Sequence, residues 1–224
     1  MIHPDILAAL ARKRVNAFLS GAQAARQASL ARAARSRVRG KRLILRDGST
    51  VLIRPVRSTD APLLADGFAR LSPQSRWMRF LGTKTSLSAA ELRYLTDVDH
   101  HDHEAIGALS AADGRGVGIA RYVRDTNDPR SAEVAVTIVD DWQGRGLGTE
   151  LLARLSDRAR QAGIDRFTAL VSTQNPAMAG LLRKLGACLV GRGPGTLEYE
   201  VTLLIPPGNP VYDQTPQQIG RAHV

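Results

Sequence analysis

SAEVAVTIVDDWQGRGLGTELLARL, residues 131–155, joins an alternating apolar run to a glycine-rich turn and then to an amphipathic run. The first run has the period of a strand, and its leucines after Leu147 have the spacing of a helix. Gly144 to Gly148 therefore lies between a strand and a helix N-terminus. The first N–H groups of a helix lack intrahelical partners, and glycine lets an anion approach the backbone. The stretch predicts a phosphate-binding loop.

A near copy of this pentapeptide, GRGVG, occupies residues 114–118 and predicts a different structure. It follows the turn pair Asp113-Gly114 between two predicted strands, which is typical of a hairpin. A phosphate site needs a helix after the glycines, so only residues 144–148 qualify. Those residues lack the Lys-Ser/Thr pair of a P-loop, and Thr149 stands where a dinucleotide fingerprint has its third glycine.

The order of the remaining elements predicts an α/β fold with a mixed sheet. A strand from Thr50 to Val56 precedes a helix capped near Ser58 or Asp60, and two short helices opened by serines follow. Two strands flank the 114–118 turn. The chain then continues as strand, helix, strand, helix and strand, ending near Ile205.

The basic charge of the chain is concentrated at its N-terminus. The formal net charge is +10, but residues 1–46 hold 11 of the 31 basic residues and one acid, so the rest carries 20 of each. We expect a basic, Ala/Arg-rich arm over residues 1–45, helical or disordered, a domain over 46–205 and a Pro-rich tail over 206–224. The arm is interpreted as solvated; contact with an anionic partner, nucleic acid or membrane surface, is the alternative.

The composition also predicts a compartment. One cysteine, Cys188, excludes a disulfide framework and suits a reducing environment, and Cys188 itself is expected in the core. No apolar run is long enough for a transmembrane helix, and the Ala/Arg bias is typical of GC-rich bacterial genomes. An Arg-rich, acid-poor N-terminus also matches an organelle transit peptide, but we expect a cytoplasmic bacterial protein of unknown oligomeric state.

The run from Gln143 to Gly148 resembles the Q/R-x-x-G-x-G/A signature of the GNAT acetyltransferase superfamily, and STQNPAMAGLLRKLGA resembles the family's Asn-containing segment. The resemblance covers about Thr50 to Ile205. It implies a GNAT-type mixed sheet with flanking helices, and acetyl-CoA as co-substrate, without a metal. The cofactor-binding residues that it implies are Val136, Thr137 and Ile138 along the pantetheine arm, Gln143, Gly144, Arg145, Gly146, Leu147, Gly148 and Thr149 around the pyrophosphate, and Asn175 near the pantetheine. Without the resemblance, Asn175 is explained equally well as a helix N-cap with no contact to the cofactor.

The run AEVAVTIVDDWQGRGLG is most similar in kind to bacterial protein lysine acetyltransferase domains, whose general base corresponds to Glu133. In a strand with two apolar faces this carboxylate would be half-desolvated, which favours proton uptake. The alternative is that Glu133 pairs with Arg130 or Arg121 at the start of the strand. Many family members carry a tyrosine that protonates the leaving thiolate, but Leu182 stands at that position, so no general acid is assigned.

The resemblance therefore implies an N-acetyltransferase that acts by direct attack of a primary amine, with a protein lysine as the first candidate acceptor. A small amine, such as an amino acid or polyamine, is the second. A non-catalytic acyl-CoA sensor is the rival from another class. The histidines of DVDHHDHE, His100, His101 and His103, do not share one face of an extended segment, so we interpret them as a solvated loop or a cleft wall rather than a metal site.

Overall fold

Alternating apolar residues build an eight-stranded sheet within residues 40–203, the part of the chain that this computed structural model describes. The strands are β1 (Lys41–Ile44), β2 (Thr50–Pro55), β3 (His103–Ser110), β4 (Gly116–Arg124), β5 (Ser131–Ile138), β6 (Arg166–Ser172), β7 (Cys188–Gly193) and β8 (Thr196–Thr202).

Capping residues set the starts of the helices. The α-helices within the same residues are α1 (Ala61–Ala69), α2 (Pro73–Phe80), α3 (Ala89–Thr96), α4 (Leu147–Gln161) and α5 (Pro176–Lys184), with 3-10 turns at Ser58–Asp60 and Asp140–Trp142. As the sequence predicts, serines open both short helices: Ser72 accepts from the Ser75 N–H at α2, and Ser88 accepts from the Glu91 N–H at α3. The structure adds a capping box, since the Glu91 side chain also accepts from the Ser88 N–H. The serines therefore satisfy backbone donors that the helices leave open.

The sheet is mixed, which confirms the predicted fold class. Its order is β1-β2-β3-β4-β5-β6-β8-β7, and every neighbouring pair is antiparallel except β5 and β6. The strand–helix–strand unit β5-α4-β6 accounts for that parallel pair, because a parallel neighbour requires a crossover connection.

Helices cover both faces of the sheet. On one face α4 packs its leucines against β3, β4 and β5, and α5 adds Ala179 and Leu182 to the same core. On the other face α1 packs against β4, α2 packs against β5 and β6, and α3 packs against α1, while Ile119, Arg121 and Thr137 line the pocket on this face. Coverage on both faces explains why β5 reads as an almost continuous apolar run.

No helix among residues 40–203 combines the length and apolarity that a bilayer crossing requires.

The sequence does not predict the edge strand β1, and one expected core residue, Cys188, is exposed on the other edge strand. β1 and β7 lie at opposite edges of the sheet and expose Ile44 and Val190. Edge strands bury less of their surface and tolerate charge, so their sequences carry a weak alternation signal. Cys188 begins β7 and is exposed, so the expectation of a core cysteine is wrong. The arm up to residue 39 and the tail from residue 204 lie outside the described residues.

Candidate functional site

The sheet opens between β5 and β6. The two strands pair only from Ser131 opposite Arg166 to Glu133 opposite Thr168, whereas β5 stays paired with β4 as far as Ile138. Within the described sheet, Val134 to Ile138 therefore present one edge that no strand covers. Backbone N–H and C=O groups at such an edge need partners, so an extended ligand could bind there as an added strand.

The glycine loop lies at the far end of this open edge. Gly144 and Gly146 have φ values of 75° and 91°, and Gly146 is the N-cap of α4 without a side-chain cap bond. Both need the left-handed region that glycine adopts freely. Leu147 packs in the core beside them and fixes the start of the helix. The first turn of α4 therefore lines the cleft, and its first backbone N–H groups have no intrahelical partner.

A cleft of about 1020 Å³ joins the open edge to the glycine loop. Eleven of the twelve residues that the sequence assigns to the site line it: Glu133, Val136, Thr137, Ile138, Gln143, Gly144, Gly146, Leu147, Gly148, Thr149 and Asn175. The Gln143 side chain donates to the Ile138 carbonyl at 3.1 Å, which ties the loop to the end of β5. The Asn175 side chain accepts from the Met178 N–H at 3.0 Å and so caps α5 at the cleft wall.

Arg145 is the predicted site residue whose side chain does not line the cleft. Its guanidinium pairs with Asp47 at 2.8 Å, donates to the Asp141 carbonyl and lies over the Trp142 ring. Arg46, from the turn between β1 and β2, lines the cleft beside Gly146 instead. No local sequence pattern predicts that Arg46 rather than Arg145 lines the cleft, because the two arginines are almost a hundred positions apart.

Glu133 is half-buried and lies at the last position where β5 pairs with β6, where the opening between the two strands begins. Among the described residues, neither of the two arginines considered as partners of Glu133 forms an ion pair with it. Arg130 pairs with Asp165, and Arg121 binds the Leu95 carbonyl and His103. Its carboxylate therefore remains on the cleft wall.

Arg79 of α2 lines the same cleft as this carboxylate, and sequence reasoning missed it. Burial lowers the pKa of Arg79, and the negative charge of Glu133 partly offsets that shift. Burial also raises the pKa of Tyr94, and Glu133 adds to the rise. Arg79 and Tyr94 are therefore electrostatically coupled to Glu133.

The three histidines near residue 100 diverge into separate contacts. The His100 Nδ1 lies 2.7 Å from a Glu104 carboxylate that is 1% exposed, and Arg158 binds the other oxygen of that carboxylate at 2.7 Å. Burial alone would raise the pKa of Glu104, but these two partners hold it below its usual range. His101 contacts Asp102.

His103, the first residue of β3, makes a third, separate set of contacts. Its Nε2 is 3.1 Å from the Arg121 guanidinium, and its ring lies 5.0 Å from that of Tyr94. Burial, followed by the charge of Arg121, lowers the pKa of His103 well below its ordinary value. A neutral ring that accepts from Arg121 satisfies both groups. Residues 40–203 contain no set of three His, Cys, Asp or Glu side chains placed to hold a metal ion.

Comparison with known proteins agrees with this arrangement. The family model described as "Acetyltransferase (GNAT) domain" matches residues 50–187. The chain belongs to the GNAT acetyltransferase family. In this GNAT domain the matched region runs from the start of β2 to just beyond α5, and so contains both the glycine loop and the open edge of β5.

Two curated relatives and one crystal structure illustrate the similarity. This GNAT chain is 35% identical over 163 residues to Acetyltransferase Pat of Mycolicibacterium smegmatis, covering 73% of the chain and 48% of Pat. It is 42% identical over 144 residues to Acetyltransferase PA5475 of Pseudomonas aeruginosa, covering 63% of the chain and 77% of that protein. The GNAT domain of S. lividans PAT superposes with a TM-score of 0.69 at 29% identity, covering 73% of this chain and 96% of that one. The chain thus spans about half the length of Pat.

Proposed function

We propose that this chain is an acetyl-CoA-dependent N-acetyltransferase that acts on a primary amine, with a protein lysine as the acceptor. The observation that carries the proposal is the opening of the sheet at Glu133. There, a carboxylate, an unpaired strand edge and a glycine-capped helix N-terminus line one cleft.

The residues of the cleft fit two parts of acetyl-CoA, its diphosphate and its pantetheine arm. The α4 N-terminus, with Gly144, Gly146 and Gly148, would hold the diphosphate through backbone N–H groups. The edge of Val136 to Ile138 that faces away from β4 would bind the amides of the pantetheine arm as an added strand. In this orientation the thioester would lie toward Glu133.

Glu133 would supply the base for the transfer. An amine that is cationic at neutral pH must lose a proton before it attacks, and the Glu133 carboxylate would accept that proton directly or through a water. The nitrogen would then attack the thioester carbonyl carbon, the C–S bond would break, and the thiolate would leave. Leu182 is fully buried in the core and has no proton to give. We therefore assign no side chain to the protonation of the thiolate.

A protein lysine is favoured by the resemblance of residues 132–148 to bacterial protein lysine acetyltransferase domains. A small acceptor that carries its own carboxylate is the second candidate, and Arg79 favours it. Arg79 lies where the cleft meets a small apolar pocket under α1, α2 and α3, and no described carboxylate lies within ion-pair distance of it. A guanidinium in that position would attract an acceptor carboxylate and repel a second cation.

The test is acetyl transfer, measured as thiol release, from acetyl-CoA to lysine peptides, polyamines and free amino acids. Transfer to peptides that Arg79→Gln leaves unchanged supports a protein lysine. Transfer to amino acids with a KM that Arg79→Gln raises supports the second candidate. If the wild type binds acetyl-CoA tightly and acetylates no amine, the enzyme proposal is wrong and the chain is an acyl-CoA sensor.

A further inference from the structure

Two arginines lie at the glycine loop, and only one is free to face a ligand. Arg145, inside the motif, is bound to Asp47 and to the Asp141 carbonyl. Arg46, outside the motif, lies across Gly146: a Cβ built on that glycine would be 3.3 Å from the Arg46 Nε, 3.6 Å from its Cδ and 3.7 Å from its Cγ. The Arg46 side chain therefore occupies the space beside the N-cap of α4.

The backbone of Arg46 is held on both sides. Leu45 before it is buried in the core, and the Leu45 N–H donates to the Ser49 carbonyl at 2.8 Å across the turn. The Arg46 N–H donates to the Arg145 carbonyl at 3.5 Å, and Asp47 pairs with the Arg145 guanidinium. The turn between β1 and β2 is therefore fastened to the glycine loop, and the exposed Arg46 side chain projects from a fixed position.

Arg46 has a charge that the described residues do not neutralise. The carboxylate next to it, Asp47, is already engaged: hydrogen bonds from Ser49, followed by the charge of Arg145, lower its pKa. Asp47 pairs with Arg145 instead, and no carboxylate among residues 40–203 lies within ion-pair distance of Arg46. The guanidinium therefore adds a positive charge to the positive end of the α4 dipole.

We propose that Arg46 binds the 5′-diphosphate of acetyl-CoA, so that the β1–β2 turn and the glycine loop hold this group from two sides. The inference rests on the proposed function for its ligand, and it assigns a residue that precedes the region matched by the family model, 50–187. A guanidinium suits this role because its planar donors can bond two phosphate oxygens at once. Because the diphosphate is common to all acyl-CoA molecules, Arg46 contributes affinity and not acyl selectivity.

The experiment is calorimetric titration of the full chain with acetyl-CoA and with 3′-dephospho-acetyl-CoA. Arg46→Gln should raise the Kd about 10- to 100-fold, as expected for loss of a charge-assisted contact, and by the same factor for both ligands. Arg46→Lys keeps the charge but not the planar pair of donors, so its Kd should lie between those of the wild type and Arg46→Gln. Arg42→Gln removes an equal charge from the exposed strand β1, outside the cleft, and should change the Kd less than about 2-fold.

Three results would overturn the inference: an unchanged Kd in Arg46→Gln, an equal loss in Arg42→Gln, or a loss that disappears with the dephospho ligand. The last result would assign Arg46 to the 3′-phosphate. Failure of the wild type to bind either ligand would instead reject the proposed function, and with it the inference. Unchanged thermal unfolding of Arg46→Gln shows that a loss of affinity is not a loss of fold, and Arg46→Lys provides the test if that variant unfolds.

Discussion

Glu133 stands directly opposite Thr168 at the last position where β5 and β6 pair. From the next residue onward the two strands separate, so the carboxylate lies where the open edge of β5 begins. A substrate bound along that edge would bring its reactive end to Glu133. The proposed base and the proposed binding edge are therefore fixed by one feature of the sheet.

The first prediction concerns this carboxylate. Glu133→Gln keeps the shape of the side chain but cannot accept a proton, so the transfer rate should fall about 10²- to 10⁴-fold while acetyl-CoA affinity changes little. Steady-state kinetics on a confirmed acceptor and a binding titration measure the two effects. Glu198→Gln, in the same cleft but on β8, is the matched control and should retain most of the rate. Wild-type turnover in Glu133→Gln would remove Glu133 from the mechanism.

The second prediction separates the two glycine pentapeptides. Gly146→Asp places a side chain and a negative charge at the N-terminus of α4, where the diphosphate would bind. Acetyl-CoA binding should weaken by at least about 3 kcal/mol, since close approach is lost and like charges repel. Gly114→Asp makes the same change at a φ of 73° in the hairpin between β3 and β4, with open space around it, and should leave binding intact. Equal impairment of the two variants, both folded, would contradict the assignment.

The third prediction is a pH dependence of stability that originates at His103. The pKa of His103 in the folded state is well below the ordinary value of 6.5. At a pH between the folded-state pKa and 6.5, the unfolded chain therefore binds a proton at His103 that the folded chain does not bind. The stabilisation is therefore fully present above pH 6.5 and is lost progressively as the pH falls below it. His103→Gln keeps an acceptor for Arg121 but cannot titrate, so its Tm should fall less than that of the wild type between pH 6.5 and 5. Calorimetric scans across this range give Tm as a function of pH for the wild type and for His103→Gln. Equal slopes of Tm against pH would contradict the prediction.

The fourth prediction concerns the N-terminal boundary. A chain shortened to residues 41–224 keeps β1, Leu45 and Arg46, and should unfold cooperatively and bind acetyl-CoA as the full chain does. A chain shortened to residues 47–224 loses the pairing of β1 with β2 and the buried Leu45, whose burial alone is worth about 1.5–3 kcal/mol. Its Tm should be lower and its acetyl-CoA affinity reduced. Equal Tm values would show that β1 contributes nothing to the stability of the domain.

The sequence by itself determined the elements whose signals are local. The alternation of residues 131–138, the glycines before Leu147 and the caps Ser72, Ser88 and Asn175 each depend on neighbours a few positions away. Strand period, helix period and capping chemistry act over that range, so the strand–glycine loop–helix order could be read directly. The mixed sheet followed from that order, since the strand–helix–strand segment requires a parallel pair.

Only the tertiary structure decided which distant groups meet. The point at which β5 leaves β6, the exchange of Arg145 for Arg46 in the cleft, and the coupling of Arg79 to Glu133 all join residues far apart in the chain. The exposure of Cys188 likewise depends on β7 being an edge strand, which no local pattern encodes. Such contacts are set by how whole elements pack to bury their apolar faces, and a charged side chain then takes whichever partner that packing places within reach.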